Sequence, residues 1–111
     1  MFTSKIREAA KPFGLTWQGV RESANLVATA AGARLVIVDL RLPTALEALR
    51  MLAAEPATAA IPSVGFVEHE RTDVMQAARE SGCSDVMAKG QFANALPRLM
   101  ASLAPPEPPA I

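Results

Sequence analysis

Asp39 closes the apolar run Leu35-Val36-Ile37-Val38, Glu68 and His69 follow the run that ends at Val67, and Lys89 follows Val86-Met87-Ala88. Each stands at the carboxyl end of a run that reads as a strand, which is where open α/β sheets collect ligands and reacting groups. A carboxylate in such a place is a nucleophile toward phosphorus or a ligand for a hard cation. An ammonium facing it neutralises an oxyanion, which is charge stabilisation rather than proton transfer. Other chemistry has less to work with. The chain has one cysteine and one histidine, too few for an internal disulfide or a zinc site built on such residues. His69 lies between Glu68 and Glu70, and adjacent loop residues chelate poorly without partners, so this stretch reads as a solvated loop. Cys83 reads as a small buried apolar residue.

The elements that must position these groups alternate along the chain. Ile6, Ala9, Ala10 and Phe13 recur at helical spacing over Ser4 to Phe13, and Pro12-Phe13-Gly14 ends the segment. Leu15 to Val20 alternates weakly and predicts a short strand with Trp17 half-buried in it. Ser23 is placed to cap a helix carrying Leu26, Val27 and Ala30, and Gly32 sits where a left-handed cap belongs. Leu35 to Val38 is an unbroken branched apolar run, the pattern of a parallel strand buried on both faces. Thr44 and Glu47 form a capping-box pattern ahead of Leu46, Leu49 and Leu52, and Pro56 stops that helix. Ile61 to Val67 predicts another buried strand. Thr72 opens a helix through Val74, Met75 and Ala78 that Ser81-Gly82 closes, and Asp85 to Ala88 is short and apolar enough for a third strand. Asn94 to Leu103 predicts the last helix, with Pro97 in its first turn. The methionines are dispersed through these apolar stripes and imply no cofactor.

Composition bounds the rest. A length of 111 residues and a formal charge of zero give one domain without the basic footprint of a nucleic-acid binder. No apolar run nears the roughly 20 residues of a membrane span, and the first residues lack a secretory apolar core, which points to the cytoplasm. The domain is expected over 1–104, with 105–111 a proline-rich tail. Alternating helices and strands of this size predict a doubly wound parallel α/β sheet. Gly14, Gly19 and Gly32 make no phosphate-cradling loop, so the chain does not read as a nucleotide or flavin enzyme.

Asp39-Leu-Arg-Leu-Pro43, then Ile61-Pro62, then Gly82-Cys-Ser-Asp-Val-Met-Ala-Lys89 together resemble a response-regulator receiver domain, over essentially Ile6 to Leu103. The resemblance implies a flavodoxin-like fold, with Asp39 as phosphoacceptor and Lys89 as partner of the phosphoryl charge. It implies a Mg2+ ion held by Asp39, the backbone carbonyl of Arg41 and an acidic pair on a first strand. It also implies a sensor kinase or other signalling protein as partner, or a second copy in a homodimer, through the face from Val67 to Leu103.

The sequence departs from the family pattern at several places. No first strand with its acidic pair precedes the first helix, so the sheet is expected to lack a central strand and the metal site to be incomplete. Val67 stands where the family has Ser or Thr, and Val86 where it has an aromatic switch residue. The loop after Pro43 is short, and Gly90 replaces the proline after the lysine. The expectation is a stand-alone receiver-like protein of weak phosphoacceptor competence. The alternative is a phosphorylation-independent dimerisation or scaffold module.

Overall fold

The structure, a computed structural model, describes residues 2–20 and 25–103. Helix α1 (Phe2–Ala10) runs into a 3-10 turn (Lys11–Phe13) and is followed by α2 (Leu26–Ala30). Then β1 (Val36–Asp39), α3 (Ala45–Ala54), β2 (Ser63–Val67), α4 (Thr72–Glu80), β3 (Asp85–Ala88) and α5 (Lys89–Leu103) alternate. The strands form one parallel sheet in the order β1-β2-β3, with Asp39 paired to Phe66 and Val67 to Ala88.

Side-chain alternation along the strands sorts the core into two layers. Leu40, Val67 and Val86 cluster with Ala45 and Leu49 of α3 and Ala78 of α4. On the other face Val64 and Phe66 cluster with Ala10 of α1 and with Phe92, Leu96 and Met100 of α5. Every residue of β2 is buried, as a central strand covered on both faces requires. The α2 helix joins through Leu26 and Ala30, which meet Leu52 of α3. Gly32 takes a left-handed φ of 84° just past it, as its type foretold.

Several expectations need correction. Residues 15–20 form no strand, and Trp17 is 36% exposed with the Arg7 guanidinium 4.9 Å from its ring centroid. The reason is that no described strand lies beside that segment to pair with it. Between it and the outer edge of β1 lies a cleft of about 860 Å3, lined among others by Ile6, Leu15, Leu26, Ile37 and Met100. The N–H groups of Val36 and Leu40 bond toward β2, so those of Ile37 and Asp39 point to this open side.

Thr44 occupies the N-cap position of α3, but its hydroxyl caps nothing. Successive tight turns, Leu42 N–H to Asp39 C=O and Ala45 N–H to Leu42 C=O, hold it at φ −94°, ψ 2° instead of the extended conformation a capping side chain uses. Thr72 is the first residue of α4 rather than its cap, and β2 begins at Ser63 rather than Ile61. The last helix begins at Lys89, directly off β3, so Pro97 is inside it and not in its first turn. Pro97 is exposed, so water can satisfy the carbonyl that its ring nitrogen cannot. The expected cap Ser23 and the tail 105–111 lie outside the described residues. No described helix is long and apolar enough to cross a membrane.

Two polar ties hold the ends of these elements. The Thr58 hydroxyl, 2% exposed, donates to the Leu52 carbonyl at 2.7 Å and satisfies the end of α3. Ser63 N–H donates to Ser84 Oγ at 3.0 Å and Ser84 N–H to Ser63 Oγ at 3.1 Å, pinning the starts of β2 and β3 together. Of the glycines, Gly65 is the most closely approached: an added Cβ would lie 2.8 Å from Leu40 Cδ1 and 3.0 Å from its Cγ. Gly65→Ala is therefore expected to destabilise the fold by about 1–3 kcal/mol, and Leu40→Ala by about 2–5 kcal/mol. In urea denaturation the double variant should cost clearly less than the sum, because the first substitution fills part of the space the second vacates. Strict additivity would show that Leu40 does not sit over Gly65.

Candidate functional site

Asp39 is the last residue of β1, on the same sheet face as Ile37 and Phe66. Leu42 N–H closes a tight turn onto the Asp39 carbonyl at 3.2 Å, and that turn brings Arg41 back over the carboxylate. Arg41 backbone N–H donates to Asp39 Oδ1 at 3.0 Å, its Nε to the same oxygen at 2.9 Å, and its Nη2 to Oδ2 at 2.8 Å. The guanidinium carbon lies 5.9 Å from the centroid of the Phe66 ring. That ring is in turn stacked on Phe92 at 4.6 Å and 7°.

Burial alone would raise the Asp39 carboxyl. The hydrogen bonds from Arg41, with the charges of Arg41 and Lys89, outweigh it and hold the group below the ordinary carboxylate value. The charge of Lys89, at the start of α5 directly after β3, acts on Asp39 across β2. Glu68, just past β2, also acts on the Arg41 charge, and its Oε2 is buried without a hydrogen-bond partner.

Of the residues singled out by sequence, Asp39 and Lys89 therefore come into electrostatic range. Val67 does not join them: it is 1% exposed, and its side chain packs with Leu40, Ala45 and Leu49 beneath the other sheet face. His69 is exposed, with Nδ1 3.3 Å from Glu70 Oε2, and Cys83 is a free, buried thiol. Val86 is buried in the core cluster around Leu49. The Arg41 side chain escaped sequence reasoning, which used only its backbone carbonyl. The available signal was an aspartate two residues before an arginine in a turn, since Asp accepts the N–H two residues on in an Asx turn. Glu68 was read only as part of a loop.

The donor set does not suit a divalent cation. Among the described residues no three His, Cys, Asp or Glu side chains gather to hold one. Both oxygens of the Asp39 carboxylate are engaged by Arg41. Mg2+ requires near-octahedral oxygen ligation and gives up water reluctantly, which a single salt-bridged carboxylate does not compensate.

By carbon NMR titration the Asp39 carboxyl is expected to titrate below about 3.9, the ordinary aspartate value. Arg41→Ala should move it upward, because burial is then opposed only by the backbone N–H of residue 41 and the charge of Lys89. The folded-state value is depressed, so the pair's stabilisation is fully present above the unfolded value and is lost as pH falls through the folded one. The variant should accordingly lose part of the pH dependence of unfolding below about pH 4. An unmoved carboxyl in Arg41→Ala would mean that the pair does not form in solution.

No protein-family model matches the chain, and no curated protein sequence does. Solved structures do. A response regulator from Hahella chejuensis superposes with a TM-score of 0.70 at 20% identity, covering 89% of this chain and 83% of that one. A response-regulator receiver domain from Rhodospirillum rubrum also gives 0.70 at 20% identity, over 96% of this chain and 89% of that one. The receiver domain of a Pseudomonas aeruginosa sensor histidine kinase, with magnesium coordinated in its active-site cleft, gives 0.67 at 19% identity, over 89% and 88%. Parallel strands in sequence order and helices on both faces agree with these likenesses: the chain has the flavodoxin-like fold of response-regulator receiver domains.

Proposed function

We propose that this chain is a receiver-like signalling module whose output passes through protein–protein contacts, with Asp39 as its candidate phosphoacceptor. The observation that carries this reading is the placement of Asp39 and Lys89 at the carboxyl ends of the two strands flanking β2, with the lysine charge acting on the carboxylate. In that role an Asp39 oxygen attacks phosphorus and the donor's leaving group departs with the bonding pair. Lys89 then faces the charge of the acyl phosphate. The partner on the input side is a sensor kinase or another signalling protein. On the output side the surface from Val67 to Leu103 presents Gln76, Arg79, Glu80 and Arg98 as exposed polar groups, a mixed-charge face for a signalling protein or a second copy.

Phosphoryl transfer at this site is weakly coupled to conformation. Val67 offers no hydroxyl and its side chain packs on the sheet face opposite Asp39, so it supplies no hydrogen bond to a phosphoryl group there, a bond that to a charged group contributes about 1.5–3 kcal/mol. Moving a switch from 1:99 to 99:1 takes about 5.5 kcal/mol of differential binding, so its loss removes a sizeable share. Arg41, bonded to both oxygens of Asp39, favours the second reading: a phosphorylation-independent dimerisation or scaffold module on the same fold.

Intact-mass spectrometry after incubation with a small acyl-phosphate donor and magnesium separates the two. A substoichiometric phosphoryl adduct, abolished in Asp39→Asn, is expected. No adduct in the unmodified chain removes the phosphoacceptor role and leaves the phosphorylation-independent module standing. An adduct that survives Asp39→Asn assigns the phosphoryl group to another residue.

A further inference from the structure

We infer that the Arg41 guanidinium is the built-in counter-ion of Asp39, occupying the carboxylate in place of a divalent metal, so that metal binding at this site requires Arg41 to be displaced. The inference deepens the reading of this site as receiver-like but does not depend on phosphoryl transfer taking place.

The geometry supports it from several sides. Both Asp39 oxygens accept from Arg41, Oδ1 from Nε at 2.9 Å and Oδ2 from Nη2 at 2.8 Å, which is the fork-to-carboxylate arrangement that guanidinium makes best. The backbone N–H of the same residue adds a bond to Oδ1 at 3.0 Å, so Arg41 is held by its own main chain as well. Its guanidinium lies over Phe66, which is 2% exposed and stacked on Phe92, so the floor under it is rigid. The Arg41 charge is shared with Glu68, and Lys89 acts on Asp39 from beyond β2. Asp39, Arg41, Glu68 and Lys89 thus form a set in which the formal charges already cancel. An incoming dication would meet positive charge within hydrogen-bonding distance of the Asp39 carboxylate.

A tethered cation also has an advantage of connectivity. Arg41 is two residues from Asp39 in a closed turn, so pairing them orders little further chain, whereas a metal ion must be taken from solution and stripped of water. Surrendering the charge-assisted bonds corresponds to about a ten- to hundredfold penalty on metal affinity.

The test is a Mn2+ titration of the whole chain, with free Mn2+ read by electron paramagnetic resonance and no phosphodonor present. Arg41→Ala is expected to bind Mn2+ about ten- to hundredfold more tightly than the unmodified chain, and Asp39→Asn in that background to abolish the gain. Arg41→Lys, which keeps the charge but not the fork, should fall between. Equal affinity with and without Arg41, or a gain that survives Asp39→Asn, overturns the inference. A second measurement needs no variant. In the unmodified chain the Arg41 Nε–H resonance is expected to stay unchanged as Mg2+ is raised through the millimolar range, and its displacement there also overturns the inference. Because neither experiment contains a phosphodonor, a chain that is never phosphorylated still leaves the inference intact. A metal that displaces Arg41 sinks it whatever the phosphodonor result.

Discussion

Leu40 lying over Gly65 is the contact on which the position of Asp39 depends. The centre of β2 carries no side chain on that face, so the leucine following β1 descends onto the strand and closes the layer shared with α3 and α4. Because side chains alternate along a strand, Leu40 pointing into that layer sends Asp39 to the opposite face, above Phe66. A slip of one residue in the pairing of β1 would exchange them. It would set a carboxylate among Ala45, Leu49 and Val67, a burial without partners that costs several kcal/mol on the order of an unpaired polar group or more. The same close approach therefore fixes both the register of the sheet and the location of the site.

Once Asp39 is placed, its electrostatics follow from distance and tether. Arg41 is bound to it through a short turn and engages both oxygens, while Lys89 acts from the far side of β2 through its charge. The near partner makes directional bonds that survive solvent screening better than a separated pair does. Glu68 adds a negative charge near Arg41, so the guanidinium has carboxylates to satisfy on more than one side. Phe66 and Phe92, stacked beneath, keep the guanidinium from sinking into the core.

What the sequence disclosed and what it hid divide along physical lines. The continuous branched run ending at Asp39 and the buried run ending at Val67 were legible as strands, because residues covered on both faces must be apolar at consecutive positions, and Asp85–Ala88 was legible as a short apolar run between turn residues. Their alternation with helices gave the doubly wound architecture and put Asp39 and Lys89 at strand ends. Residues 15–20 carried a weak alternation that local pattern alone could not cancel; only the lack of a neighbouring described strand shows why no pairing follows. Capping failed at Thr44 because the preceding turns, which no propensity encodes, dictate its backbone angles. The α5 start was misplaced because Lys89-Gly90-Gln91 is not apolar, although Gln91 Oε1 accepts from Ala88 N–H at 3.0 Å and eases the strand into the helix. The Arg41 side chain was overlooked because its partner lies two residues away in a turn, outside the spacings that helices and strands advertise.

The open edge of β1 bears on the same site. Ile37 and Asp39 direct backbone groups toward the cleft, and Asp39 and Arg41 line one part of it, so the carboxylate lies at a boundary between sheet and solvent-accessible space. In that place both oxygens of Asp39 are already bonded to Arg41, and among the described residues too few ligating side chains gather around it to hold a metal. A guanidinium is more weakly hydrated than a small dication, brings a planar fork matched to the carboxylate, and here is already attached to the chain. Those properties together decide the competition for Asp39 in favour of Arg41. Any reagent that would react with the carboxylate, metal ion or phosphodonor, must first contend with the chain's own cation.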